Sequence, residues 1–172
     1  MGLFNGIKSF LTSLDNICLY RGTALRVESS KAYGLIEFDH YGIYAGNREV
    51  IHLINNGEIV KESIEKFINE QAIFNFSTID VIDFRDSIDT EESYQIALFY
   101  LNKKCGYDLT HNNCEHFVSY CRTRIGYSSQ SRSYNNDMQT APQNTIVNIP
   151  RLFSKNDLEM YVVTTVKANS LK

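Results

Sequence analysis

Apolar residues recur along this chain in two rhythms, and the switches between them lay out the elements. Leu3, Phe4, Ile7, Phe10, Leu11 and Leu14 return at helical spacing with Lys8, Ser9, Thr12 and Ser13 between them, which predicts an amphipathic helix over residues 1–16. Residues 17–28 hold two short β-prone stretches around Gly22, and residues 38–54, FDHYGIYAGNREVIHLI, read as a β-hairpin with Gly46-Asn47 as its turn. A register centred on residue 46 sets His40 directly opposite His52 on one face and leaves Tyr41, Ile43, Ile51 and Leu53 on the other as core. Residues 63–68 predict a short helix capped by Ser63, and residues 74–84 a long strand or strand pair. Asp89 with Glu92 has the shape of a capping box before a helix that carries Tyr94, Ala97, Leu98 and Leu101 and stops by Gly106.

A second strong helix opens at Asn112 or Asn113, with Cys114, Phe117, Val118, Cys121 and Ile125 as its inward stripe and an end near Gly126. Residues 127–150, rich in Ser, Asn and Gln and without a period, read as a polar flexible loop. Leu152, Phe153, Leu158, Met160, Tyr161 and Val163 mark a C-terminal element over residues 151–172 that docks back or mediates contacts. The pattern therefore predicts an N-terminal helix (1–16), one catalytic-size domain (17–126), a loop and a terminal element. The fold class is α+β: an antiparallel sheet packed against a helix that carries Cys114 at its N-terminus.

Composition narrows the partners. The 172 residues are 43% hydrophobic and 22% charged, and the net charge of −3 carries no long run of either sign. Nucleic acid is excluded as a partner, since its binding would rest on many phosphate-neutralising cations. The longest apolar runs fall far short of the roughly 20 residues that span a bilayer, and the first residues lack the apolar core of a secretory signal. The ending is polar or amphipathic and reads as no apolar anchor. The expected location is the cytoplasm; the helix over residues 1–16, with one Lys to attract anionic lipid, reads first as packed on the domain, with peripheral membrane contact as the alternative. Gly6, where Ser or Thr would stand, argues against myristoylation at Gly2.

The four cysteines carry the candidate chemistry. In the absence of a signal peptide they read as reduced, no CxxC pair occurs, and Cys114-Glu115-His116 lacks a second ligand pair, so neither a metal nor another cofactor is expected. Cys121 and Cys105 go to the core, and Cys18 stays unplaced. Cys114 sits in the first helical turn, where unpaired N–H groups and the helix dipole favour thiolate over thiol. Facing two histidines, it makes a set of nucleophile (Cys114), base (His40) and orienter (His52), with the Cys114 N–H as a candidate oxyanion donor. Spacing alone favours the plainer reading, satisfied surface or core histidines and an inert buried cysteine, since no single element is specific. Glu115 suits the helix dipole rather than catalysis, His116 should point away from Cys114, His111 reads as a loop residue, and Tyr20 is within conceivable reach of the site.

His40-Tyr41-Gly42-Ile43-Tyr44-Ala45-Gly46, Val50-Ile51-His52 and Asn112-Asn113-Cys114-Glu115-His116-Phe117-Val118 together resemble the H-box and NC motifs of the lecithin:retinol acyltransferase-like family, in the family's order and with its His spacing. The resemblance runs from about Cys18 to Gly126. It implies a circularly permuted papain-like fold and a thiol acyl-enzyme mechanism without metal, on phospholipid or another acyl-lipid: phospholipase A1/A2 activity, or transfer of the acyl group to an amine, hydroxyl or lysophospholipid. It casts Cys114 as nucleophile, His40 as general base and His52 as the polar third member. The short stretch between His52 and Cys114 leaves no room for the segment that goes with retinoid specificity, and Phe38 stands where many phospholipase members have Tyr. The same motifs also occur in small picornaviral non-structural proteins, which makes a non-catalytic interaction module the alternative. A papain-like peptidase or deamidase is a third, more distant one.

Overall fold

The computed structural model describes residues 19–28, 39–69, 78–108, 111–134 and 158–167. The predicted helix over 1–16, Cys18, Phe38 and the stretches 135–157 and 168–172 lie outside them.

Six strands form one antiparallel sheet: β1 (Ala24–Val27), β2 (His40–Gly46), β3 (Glu49–Leu53), β4 (Ile59–Ser63), β5 (Thr78–Phe84) and β6 (Met160–Lys167), in the order β4-β3-β2-β1-β5-β6. Among the described residues four helices accompany it: α1 (Ile64–Asn69), α2 (Thr90–Tyr100), α3 (Cys114–Thr123) and α4 (Ser129–Tyr134). The central strands β1 and β2 are apolar on both faces because both are covered. On one face Tyr41, Ile43, Ile51, Leu53 and Phe84 pack with Ile96, Ala97 and Tyr100 of α2 and with Cys114, Phe117, Val118 and Cys121 of α3. On the other, Leu25, Val27, Tyr44, Val50 and Val81 pack with Ile64, Phe67 and Ile68 of α1.

The β2–β3 hairpin corrects the predicted register. Asn47 and Arg48 both have positive φ (51° and 60°), the signature of a two-residue type I′ turn, and a bulge between Tyr44 and Gly46 precedes it. Gly46, at φ 85°, is absorbed into the bulge instead of centring the turn. Ile43 therefore pairs with Ile51, and continuing that register sets Gly42 opposite His52. His40 and His52 stay on one face but stand diagonally, two residues out of the expected pairing. Gly42 has a packing reason of its own: a Cβ there would lie 2.3 Å from Val50 Cγ1 and 2.9 Å from Phe67 Cε2.

Helix boundaries shift for local reasons. Ser63 caps α1, its Oγ accepting from the Lys66 N–H at 3.3 Å. Asp89 caps α2 by accepting from Glu91 N–H, while Glu92 reaches Arg124 at 2.8 Å. The chain leaves α2 at Leu101, with Asn102 (φ 63°) taking the left-handed position expected of Gly106. Helix α3 ends at Thr123 on a left-handed Arg124, short of Gly126, so Ile125 falls outside it. Within the stretch read as a flexible loop, Ser129–Tyr134 form α4. From the C-terminal stretch, β6 adds to the sheet edge against β5. Among the described residues no helix is long and apolar enough to cross a membrane.

Candidate active site

His40 opens β2 and His52 lies near the end of β3, and the diagonal register brings His40 Nε2 to 2.8 Å from His52 Nδ1. The rings meet edge to face, at 4.8 Å and 84°. The Phe67 ring of α1 covers both, 4.7 Å from His40 and 5.2 Å from His52. Glu62 of β4 completes the chain, its Oε2 3.3 Å from His52 Nε2. Burial disfavours a charged ring, and it lowers His40 to a pKa of about 3, helped by His52, and His52 to about 4, against the pull of Glu62. Both imidazoles are neutral at pH 7. His40 Nδ1 makes no hydrogen bond among the described residues.

Cys114 is the first residue of α3. Asn113 caps the helix with a full capping box: its side chain accepts from His116 N–H, and the His116 ring reaches back to the Asn113 N–H. The His116 ring thus serves the helix end. Cys114 is 3% exposed, and its Sγ contacts the Asp39 carbonyl, the residue before His40, at 3.7 Å. Here the structure corrects two expectations. Burial raises the thiol to a pKa of about 12; the N–H groups of Tyr41, Glu115 and Cys114 itself oppose that rise but are outweighed, so the helix terminus does not hold a thiolate. And α3 does not face the histidines across the sheet. It packs on the Tyr41/Ile43 face, whereas the imidazoles lie under Phe67 on the other. The sulfur reaches β2 at its first residues, beside the His40 backbone, and among the described residues no hydrogen bond joins it to either ring.

Two contributors to the site escape sequence reading. Glu62 is one: no motif contains it, and only the pairing of Val50 with Glu62 shows that it shares the face of His52. Gln130 is the other. Its carboxamide brackets the Asp39 backbone, Oε1 accepting from the N–H at 2.5 Å and Nε2 donating to the carbonyl at 3.3 Å. Glu115 anchors that segment: its buried carboxylate accepts from Ser128 Oγ (2.6 Å), Ser129 N (3.0 Å) and Oγ (2.7 Å), and Gln130 N (3.2 Å). Asn113 Nδ2 adds bonds of 3.1 Å to Ser128 and Ser131. His111 bonds Asp108, and Tyr20 is an exposed residue outside this set. Cys105 and Cys121 are buried core thiols. Among the described residues no group of His, Cys, Asp and Glu is arranged to hold a metal ion.

A neutral imidazole pair on a β-hairpin, a carboxylate behind it and a cysteine at a helix start beside the same strand are the features that the α+β fold brings near the start of β2. A family model for lecithin retinol acyltransferase matches residues 20–126, and the chain belongs to that family. His40, His52, Glu62 and Cys114 fall inside the match, and α4 and β6 beyond it. Lecithin retinol acyltransferase of Rattus norvegicus is 27% identical to the chain over 143 residues, which cover 66% of this chain and 58% of the rat protein. The chain thus spans less than two thirds of that relative's length.

Proposed function

We propose that the chain is a cysteine-dependent acyl-lipid hydrolase or acyltransferase of phospholipase A1/A2 type, with residues 17–126 as the catalytic unit of a circularly permuted papain-like fold. Cys114 is the nucleophile, His40 the base and His52 the residue that orients it. The observation that carries this reading is the polarity of His40: Nε2 is tied to His52 at 2.8 Å, and among the described residues Nδ1 makes no hydrogen bond, at the end of the strand that Cys114 touches. That is the division of labour a thiol–imidazole pair needs, one nitrogen held and the other free to take a proton.

In the first half-reaction Cys114 turns from the Asp39 carbonyl and passes its proton to His40 Nδ1. The sulfur attacks the ester carbonyl carbon, and the oxyanion is met by backbone N–H groups at the start of α3, that of Cys114 among them. Collapse breaks the ester C–O bond, and His40 returns the proton to the departing alcohol oxygen, leaving an acyl thioester. In the second half-reaction His40 takes a proton from water, or from an amine or hydroxyl acceptor, which attacks the thioester; the C–S bond breaks, and His40 hands the proton to the departing Cys114 sulfur. A neutral resting thiol fits this order of events, because the proton leaves only as the substrate arrives. Acyl-lipid reaches the site at a cytoplasmic membrane surface, with residues 1–16 as the contact.

A non-catalytic H-box/NC interaction module is the second reading, favoured by one observation: the thiol is buried, neutral and bonded to a backbone carbonyl. Fatty-acid release from phosphatidylcholine vesicles separates the two. The acyl-enzyme reading expects turnover that falls by about 10³-fold or more in Cys114→Ala and in His40→Asn. Wild-type release no faster than that of Cys114→Ala would establish the module instead.

A further inference from the structure

We propose that Glu62 is a positioning residue that sets the tautomers of both buried imidazoles, so that His40 presents a bare Nδ1 to the thiol. The last clause rests on the acyl-enzyme reading above; the tautomer assignment does not.

The protons lie along one line of atoms. Glu62 sits on β4, opposite Val50 and diagonal to His52, whose direct partner is Val60. Its Oε2 lies 3.3 Å from His52 Nε2 and its Oε1 pairs with Lys66 Nζ. Lys66 and His52 hold the carboxyl below its ordinary range against the opposing effect of partial burial, so the group is a carboxylate. A carboxylate only accepts hydrogen bonds. His52 must therefore carry its proton on Nε2, and its Nδ1 is a lone pair. The 2.8 Å contact between the rings then has one possible donor, His40 Nε2–H. One proton per neutral ring is thereby used, and His40 Nδ1 has none.

Without the carboxylate the order can reverse. His52 Nδ1–H would donate to His40 Nε2, and the proton of His40 would move to Nδ1, the position that has to be empty for a base. The ring-to-ring contact is equally good either way, so nothing in the pair itself selects the productive order. Phe67 covers both rings and offers no hydrogen bond to choose between them. Selection falls to Glu62. Helix α1 contributes twice, through Phe67 over the rings and Lys66 on the carboxylate.

The imidazole nitrogens of protein labelled with ¹⁵N-histidine report the tautomer directly at pH 7.5. The expected wild-type result is Nε2–H on both His40 and His52. Replacing Glu62 by Met is expected to change the His40 tautomer ratio by about tenfold or more toward Nδ1–H, and to lower kcat on vesicles by at least a similar factor with KM nearly unchanged. Glu62→Gln, whose amide oxygen still accepts, retains the wild-type tautomers in the larger part and keeps the test open should the Met variant fail to fold. A wild-type His40 protonated at Nδ1, or tautomers indifferent to both substitutions, would overturn the proposal. The two readings fail separately: the expected tautomers with no vesicle turnover would remove the acyl-enzyme reading and leave Glu62 its role, whereas turnover with Nδ1–H on His40 would do the reverse.

Discussion

His40 and His52 fold as neutral rings because burial costs a charged imidazole more than their neighbours return, and this has a sign in stability. Their folded pKa values, about 3 and about 4, lie below the value of an unfolded histidine. Above about pH 6.5 both states are neutral and the pair is indifferent to pH. As the pH falls below that, the unfolded chain takes up protons that the folded one refuses, and stability drops by about 1.4 kcal/mol per pH unit for each ring until the folded values are reached. The urea midpoint should therefore fall between pH 6.5 and 5, and much less in a His40→Asn/His52→Asn double variant. A midpoint that stays level over this range would show that the rings are charged or exposed. At this scale the sequence marked out His40, His52 and Cys114 as candidates, since they stand in contiguous motifs. It did not display their protonation. The dipole argument for a Cys114 thiolate reads one favourable effect from position in a helix, whereas the desolvation that outweighs it depends on how tightly the first turn packs against β2.

Elements set the geometry that residues then use. The hairpin was legible as a hairpin, but a bulge at Gly46 moved its register by two, turning a direct His–His pair into a diagonal one. A shift of two preserves the face, which is why the two rings still meet. Gly42 sits at that junction, and Gly42→Ala should drive a methyl into Val50 and Phe67, costing about 1–3 kcal/mol and loosening the ring that covers the histidines. Denaturant titration reads the loss; a variant as stable as wild type would mean that Phe67 gives way freely. Helix α4 was not legible, because SSQSRSY has no apolar stripe. What organises it is an acceptor: the Glu115 carboxylate gathers donors from Ser128, Ser129 and Gln130. Glu115→Ala should cost about 2–4 kcal/mol, seen as a melting temperature lower by roughly 5–10 °C. An unchanged melting temperature would contradict that role.

The described residues form a sheet between two apolar layers, and the candidate site lies where the layers meet at the start of β2. Helix α3 brings the sulfur from one side, α1 closes over the imidazoles on the other, and the strand backbone from Asp39 to Tyr41 stands between them. Fold class was readable because the two periodicities alternate along the chain. The placement of the layers was not, since a strand buried on both faces gives no hint of which helix covers which. That placement also sets a condition on Cys114 that can be measured. If His40 Nδ1 serves Cys114 from across the strand edge, the sulfur must be able to leave the Asp39 carbonyl and carry an acyl group. The direct measurement is intact mass after brief incubation with phosphatidylcholine vesicles and an acid quench. The expected result is a fatty-acyl adduct on the wild-type chain, mapped to Cys114 and absent in Cys114→Ala. A wild-type mass unchanged at every time point, with the protein folded and the vesicle lipid intact, would contradict it.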